Sequence, residues 1–196
     1  MKRLILGLVA MVMLQGVASA QIDIFYSTSD TDANAGSSLD LFLGDTGSIY
    51  VWVTNDDLDV IDGLGIDMLS SNASILEATA HNISDGGGRW LSSNEGDLGD
   101  LVTDSVSIAL IGIGGDGIAN DGNAVLYSEI VFEATELGTT ELSIVENSNA
   151  ISVSGDAPQS INFGGATVNV SAVPEPSGAL VCAGVFLATY LRRRRS

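Results

Sequence analysis

Ser48-Ile49-Tyr50-Val51-Trp52-Val53-Thr54 alternates in character at every step. Successive side chains of a strand point to opposite faces, so Ile49, Val51 and Val53 share one side and Tyr50 and Trp52 the other. The residues are β-branched or aromatic, the types that suit a pleated, half-buried surface. The same period of two recurs at Ile22, Ile24 and Tyr26, at Leu39, Leu41 and Leu43, and at Leu64, Ile66 and Met68. Further strand-like runs cover 75–80, 102–113, 124–134, 139–145 and 160–170, with clusters of Gly, Asn and Asp between them. No stretch of useful length follows the helical period, and no repeat of 20–50 residues is present. Short strands at this spacing predict an all-β fold, a sandwich or a barrel.

The two ends have a different grammar. Lys2 and Arg3 precede an apolar stretch from Leu4 to Leu14, and Ala18-Ser19-Ala20 follows. That is the pattern of a secretory signal peptide over 1–20, cut by signal peptidase to leave Gln21 first. At the other end Val173-Pro174-Glu175-Pro176 leads into an apolar run over 178–191 and then Arg192-Arg193-Arg194-Arg195. Prolines cannot continue a helix or a central strand, so they mark an extended hinge. The arginines stay on the cytoplasmic side of a bilayer. The run is short against the roughly 20 residues of a lasting span, which suits a transient stop in the membrane; a stable anchor is the alternative.

This tail resembles the PEP-CTERM sorting signal of bacterial surface proteins. The resemblance rests on Val173, Pro174, Glu175, Pro176, the apolar segment and Arg192, Arg193, Arg194 and Arg195, and it covers 173–196 only. It implies recognition by an exosortase-type membrane enzyme in a Gram-negative bacterium, with release or transfer near Pro-Glu-Pro. The organisation expected is therefore a signal peptide over 1–20, a β-sandwich ectodomain over 21–172, and a sorting tail over 173–196 with a transmembrane helix at 178–191. The protein would reach the cell surface or extracellular matrix, anchored in the membrane at least until the tail is processed.

Charge narrows the partners. The chain has 7 basic and 25 acidic residues. Six of the basic residues lie in the two end segments, so Arg89 alone remains in the ectodomain, against every acidic residue except Glu175. Phosphate contacts need Lys and Arg, which excludes nucleic acid as a partner. Anionic lipid and strongly anionic polymers are disfavoured for the same reason, and divalent cations become natural bridges. The one cysteine, Cys182, sits in the tail, so the ectodomain has no disulfide and no thiol chemistry.

A second resemblance is more diffuse. The order 47–54, 63–69, Ala73-Ser74-Ile75-Leu76-Glu77, then Gly114-Gly115-Asp116-Gly117, Gly122-Asn123-Ala124-Val125-Leu126 and Ile130-Val131-Phe132-Glu133-Ala134 is similar to cohesin and carbohydrate-binding-module sandwiches. It implies a jelly-roll-like arrangement of nine strands. It does not extend to dockerin binding, because no surface motif for that function is present.

Three features could carry chemistry. In the glycine-rich stretch 112–123, Asp116, Asn120, Asp121 and Asn123 offer hard oxygen ligands of the kind Ca²⁺ takes. The spacing is not that of an EF-hand, and the bland alternative is a set of tight turns. Acidic clusters at Asn55-Asp56-Asp57-Leu58-Asp59 with Asp62, and at Asp30-Thr31-Asp32-Ala33-Asn34, read first as solvated loops, with cation binding as the alternative. Tyr50 and Trp52, together with Trp90, could form a flat platform for sugar rings; the alternative is that they pack inside. His81 is the only histidine, and no Gly-x-Ser-x-Gly surrounds any serine, so no catalytic residues are assigned. The expectation is a non-catalytic protein that binds or scaffolds exopolysaccharide, with Ca²⁺ as the one candidate cofactor. The runner-up is a structural matrix component without a discrete ligand, ahead of a polysaccharide-processing enzyme.

Overall fold

The computed structural model describes residues 21–56, 60–84, 92–94, 108–119, 121–146, 151–153 and 160–174; for 92–94 and 108–116 the description is of the backbone. These residues form twelve strands: β1 (Ile22–Ser27), β2 (Ser38–Phe42), β3 (Thr46–Asn55), β4 (Ile61–Ser70), β5 (Leu76–Ile83), β6 (Ser92–Asn94), β7 (Ile108–Ile118), β8 (Val125–Ala134), β9 (Gly138–Glu146), β10 (Ser152–Val153), β11 (Ile161–Phe163) and β12 (Gly165–Ser171). One sheet has the order β11-β1-β3-β8-β5. The other runs β2-β12-β9-β4-β7-β6, and β10 pairs with β4 on the edge that β9 has left. The fold is the expected all-β sandwich. Of the three strands beyond the expected nine, β6 and β10 are pieces of three and two residues, too short to leave a pattern in the sequence, and β11 is split off the run 160–170.

The decisive stretch lies in β3, between β1 and β8. Ile49, Val51 and Val53 are buried, and they meet Ile22, Ile24 and Tyr26 from β1 and Ile130 and Phe132 from β8 in one core. The facing sheet contributes Leu64, Ile66 and Met68 from β4, Leu142 and Ile144 from β9, and Ala166, Val168 and Val170 from β12. Apolar inner faces turned toward each other are what two alternating sheets need in order to exclude water.

Two irregularities reset which residues face inward. Opposite β3, Val51 pairs with Ser128 and Trp52 with Leu126, so Tyr127 is an extra residue in β8. The bulge lets both Tyr127 and Ser128 be fully buried. Opposite β8, Ala78 pairs with Phe132 and Ala80 with Val131, so Thr79 is extra in β5. Beyond it His81 is buried, a structural placement for the only histidine.

Other expectations shift in place. Leu43, expected to continue the alternation of Leu39 and Leu41, leaves the strand for the turn at Gly44, whose φ of 86° suits glycine. The run 160–170 is cut in two: β11 pairs with β1 in one sheet and β12 with β9 and β2 in the other. The crossing is Gly164, whose N–H donates to the Ile24 carbonyl at 2.7 Å. A Cβ there would lie 2.9 Å from Phe25 Cβ and 3.2 Å from Phe25 Cα, so only glycine lets the chain pass β1 this closely.

Two predictions follow from this packing. Gly164→Ala will destabilise by about 1–3 kcal/mol, as overpacking of a tight site does. Thermal melting should register this as a lower Tm, and a variant that melts with the parent would show that the crossing has room to spare. The second concerns Tyr26, whose phenol burial pushes well above its ordinary 10.0. The native state keeps a proton that the unfolded chain releases, so stability held below pH 10 falls as pH rises past it toward the native value. Melts from about pH 9 to about pH 11 should fall more steeply for the parent than for Tyr26→Phe; identical slopes would contradict this.

Candidate functional site

The outer face of the β11-β1-β3-β8-β5 sheet carries the side chains that point away from the core. Three strands place Tyr50 (β3), Glu129 (β8) and Asn82 (β5) in one row, because Tyr50 pairs with Glu129 and Asn82 pairs with Glu129. The Tyr50 hydroxyl donates to Glu129 Oε1 at 3.3 Å, and Asn82 Nδ2 donates to Glu129 Oε2 at 3.5 Å. Desolvation, with the Glu129 carboxylate second, raises the Tyr50 phenol above its usual value, so it stays a neutral donor at ordinary pH. A hollow of about 220 Å³ opens here. Leu126 and Ile83 line it along with Tyr50, Glu129 and Asn82, and Ser84 and Asp30 complete it from the adjoining loops. The Ser84 N–H donates to the carbonyl of the bulged Tyr127 at 2.7 Å, which fixes that rim.

Such a site is smaller than the roughly 300–1,000 Å³ of enclosed ligand pockets. It combines one aromatic ring with two carboxylates, an amide and a hydroxyl. Carboxylates accept hydrogen bonds, an amide both donates and accepts, and a ring offers an apolar face with a polar tip. Such a set can both donate and accept hydrogen bonds beside one apolar ring face.

Trp52 is 8% exposed, and its indole N–H donates to the Ser29 carbonyl at 3.0 Å. The loop after β1 thus folds over this ring, which leaves Tyr50 as the accessible aromatic of the pair. Trp90 lies outside the described residues, as do Asn120, Glu175, Pro176 and Arg192–Arg195. Val173 and Pro174 are exposed just past β12.

The acidic stretches separate into different roles. Asp30 reaches the hollow, while Asp32 Oδ1 accepts from the Asn34 N–H at 2.9 Å and closes its own turn. Asn55 is fully buried and donates from Nδ2 to the Ile118 carbonyl at 3.0 Å, so it is part of the frame. Asp116 falls inside β7 rather than in a loop, and Asp121 and Asn123 are exposed beyond it. The Asn123 side chain, and then its backbone N–H, hold the Asp121 carboxyl below its usual range. That N–H donates to Asp121 Oδ1 at 3.0 Å. The Gly122 N–H donates to the Asn55 carbonyl, which brings this loop beside Asp56. Among the described residues no three of His, Cys, Asp and Glu converge as a metal cluster.

Glu129 and Asn82 were not singled out from the sequence as site residues, and Asp30 only as part of an acidic cluster. Tyr50 carried a local signal, but its partners come from strands and a loop distant along the chain. Only the register of β3 on β8 and of β8 on β5 joins them.

No family model matches the chain, and no curated protein sequence matches it. Solved structures of similar fold include cohesins. The cohesin module of a Clostridium perfringens family 33 glycoside hydrolase aligns with a TM-score of 0.52 at 6% identity, covering 78% of this chain and 98% of that one. A Clostridium acetobutylicum cohesin gives 0.52 at 9% identity, covering 78% and 92%. The sixth cohesin of Acetivibrio cellulolyticus scaffoldin B, solved in complex with a dockerin, gives 0.50 at 11% identity, covering 79% and 100%. At such identities the likeness establishes a cohesin-like sandwich and leaves function to the site itself.

Proposed function

We propose that residues 21–172 are an exported, non-catalytic binding module of the cell surface or extracellular matrix, and that the hollow around Tyr50 holds single units of an uncharged exopolysaccharide. The tail 173–196 would deliver it through an exosortase-type system after signal peptidase has removed 1–20. The observation that carries the reading is the row Tyr50–Glu129–Asn82 on an outer sheet face, with Asp30 and Ser84 at its rim. A neutral polymer suits a domain with a single basic residue, and Ca²⁺ bridging between acidic loops would extend the range to acidic polymers. The non-catalytic reading is supported by the inward burial of His81 and by the cohesin-like architecture, one example of which is seen with a dockerin.

A second reading has an observation of its own. Trp52 is covered by the β1–β2 loop, which favours a structural matrix component whose rings serve packing. Co-sedimentation of residues 21–172 with the host's exopolysaccharide, with and without millimolar Ca²⁺, separates the two. The binding reading predicts saturable association that Tyr50→Ala weakens at least about tenfold, the effect of losing about 1.4 kcal/mol. Trp52→Phe should leave it unchanged. Association seen only with Ca²⁺ and indifferent to Tyr50 would move the contact to the acidic loops, and no association in either condition would favour the structural reading.

A further inference from the structure

Five large hydrophobic residues are exposed among the described residues: Phe42 at 41%, Leu43 at 42%, Leu137 at 55%, Phe163 at 38% and Val173 at 60%. Four of them meet at one end of the sandwich. Phe42 pairs with Ser171 at the ends of β2 and β12, and the Leu43 N–H donates to the Ser171 carbonyl at 2.9 Å. Leu137 precedes Gly138, which pairs with Val170, so it stands on the other side of the same strand end. Val173 follows two residues after Ser171. The turn after β2 is tied to the end of β8 by Gly44 N–H to Ala134 carbonyl and Ala134 N–H to Asp45 carbonyl, both at 2.9 Å. Glu77 and Glu133 face each other, exposed, on β5 and β8 of the other sheet, and three carboxylates nearer the tip are engaged within the fold. Asp45 Oδ2 accepts from the Phe42 N–H at 3.2 Å, Glu136 Oε2 from Ser74 Oγ at 2.9 Å, and Asp40 Oδ1 from Asn169 Nδ2 at 2.9 Å. In a domain this acidic, an apolar end is a departure that calls for an apolar occupant.

Chain length says which one. The described chain ends at Pro174, and the apolar run begins at Gly178. Four residue steps span at most about 14 Å fully extended. The headgroup region on each side of the hydrocarbon core is roughly 5–7 Å deep. With 178–191 in a bilayer, this end of the sandwich cannot stand far from its surface. We propose that Phe42, Leu43, Leu137 and Val173 form a tip that seats in the headgroup zone of an uncharged or zwitterionic membrane, holding the sandwich end-on while the tail is in place. The inference rests on the reading that 178–191 enters a bilayer. Acidic lipid is the unfavourable surface, since the rest of the domain repels it. In this pose Val173 and Pro174 lie at the membrane surface, within reach of a membrane-embedded enzyme.

The test uses the full chain in vesicles of phosphatidylcholine and phosphatidylethanolamine, with an environment-sensitive fluorophore on a single cysteine. The native Cys182 reports on the tail. In a Cys182→Ser background, Leu43→Cys and Leu137→Cys report on the tip, and Ala119→Cys, exposed at the opposite end, reports on the aqueous domain. These positions are surface residues, so labelling leaves the core intact. The proposal expects blue-shifted emission at 43, 137 and 182, quenched by lipid-borne spin labels, with 119 reading water. A lipid signal at 182 with water at 43 and 137 would overturn the tip while sparing the tail. Water at 182 would overturn the tail reading and the tip with it. A shift at 43 and 137 that follows protein concentration, with no quenching from lipid, would assign the tip to a second copy and overturn the proposal.

Discussion

Two tyrosines cross the gap between the sheets, and the sandwich is organised around that crossing. Tyr127, fully buried on β8, donates its hydroxyl to the Leu64 carbonyl of β4 at 3.0 Å. Tyr26 on β1 reaches the Ser143 carbonyl of β9 at 3.4 Å. The ectodomain has no cysteine, so no disulfide links its layers. Apolar burial drives the sheets together without fixing how one sits over the other. A buried phenol that must find an acceptor adds that direction, because leaving it unmade would cost about 1–3 kcal/mol. The isoleucine-rich interior then fills the space around these two posts.

The bulge that admits Tyr127 also shapes the outer face. Without the extra residue, the side chains of β8 beyond Ser128 would keep one parity, and Tyr127 would point outward. With it, Leu126 stands opposite Trp52 while Glu129 stays opposite Tyr50. The apolar and polar sides of the hollow therefore come from the two sides of one irregularity. The second bulge, at Thr79, sends His81 inward and leaves Asn82 beside Glu129. Core construction and site construction are here one operation, performed in two adjacent strands.

The ends of the sandwich differ in character. At one, Asn55, Asp56 and the Gly122 turn gather polar and acidic groups. At the other, where the chain leaves β12, four large apolar side chains remain uncovered. A module tethered by a short apolar tail would have an acidic end facing away and an apolar end facing the membrane. The Tyr50 hollow lies on a lateral face, between these two ends.

Local pattern was enough for much of this. A period of two in 48–54, 22–26 and 64–68 names the inward side chains, because one buried face forces alternation wherever a strand is regular. The charge balance is likewise readable residue by residue, since it depends on composition alone. Pairing is what the chain alone did not disclose. Glu129 and Asn82 join Tyr50 through register between strands far apart in sequence, and the bulges at Tyr127 and Thr79 break the alternation on which a pattern reading depends. The division of 160–170 at Gly164 has the same cause: a continuous run can serve one sheet or two, and only the close passage of Phe25 decides it. Alternation is a property of neighbours along the chain, while register, sheet switching and the making of a site are properties of neighbours across space.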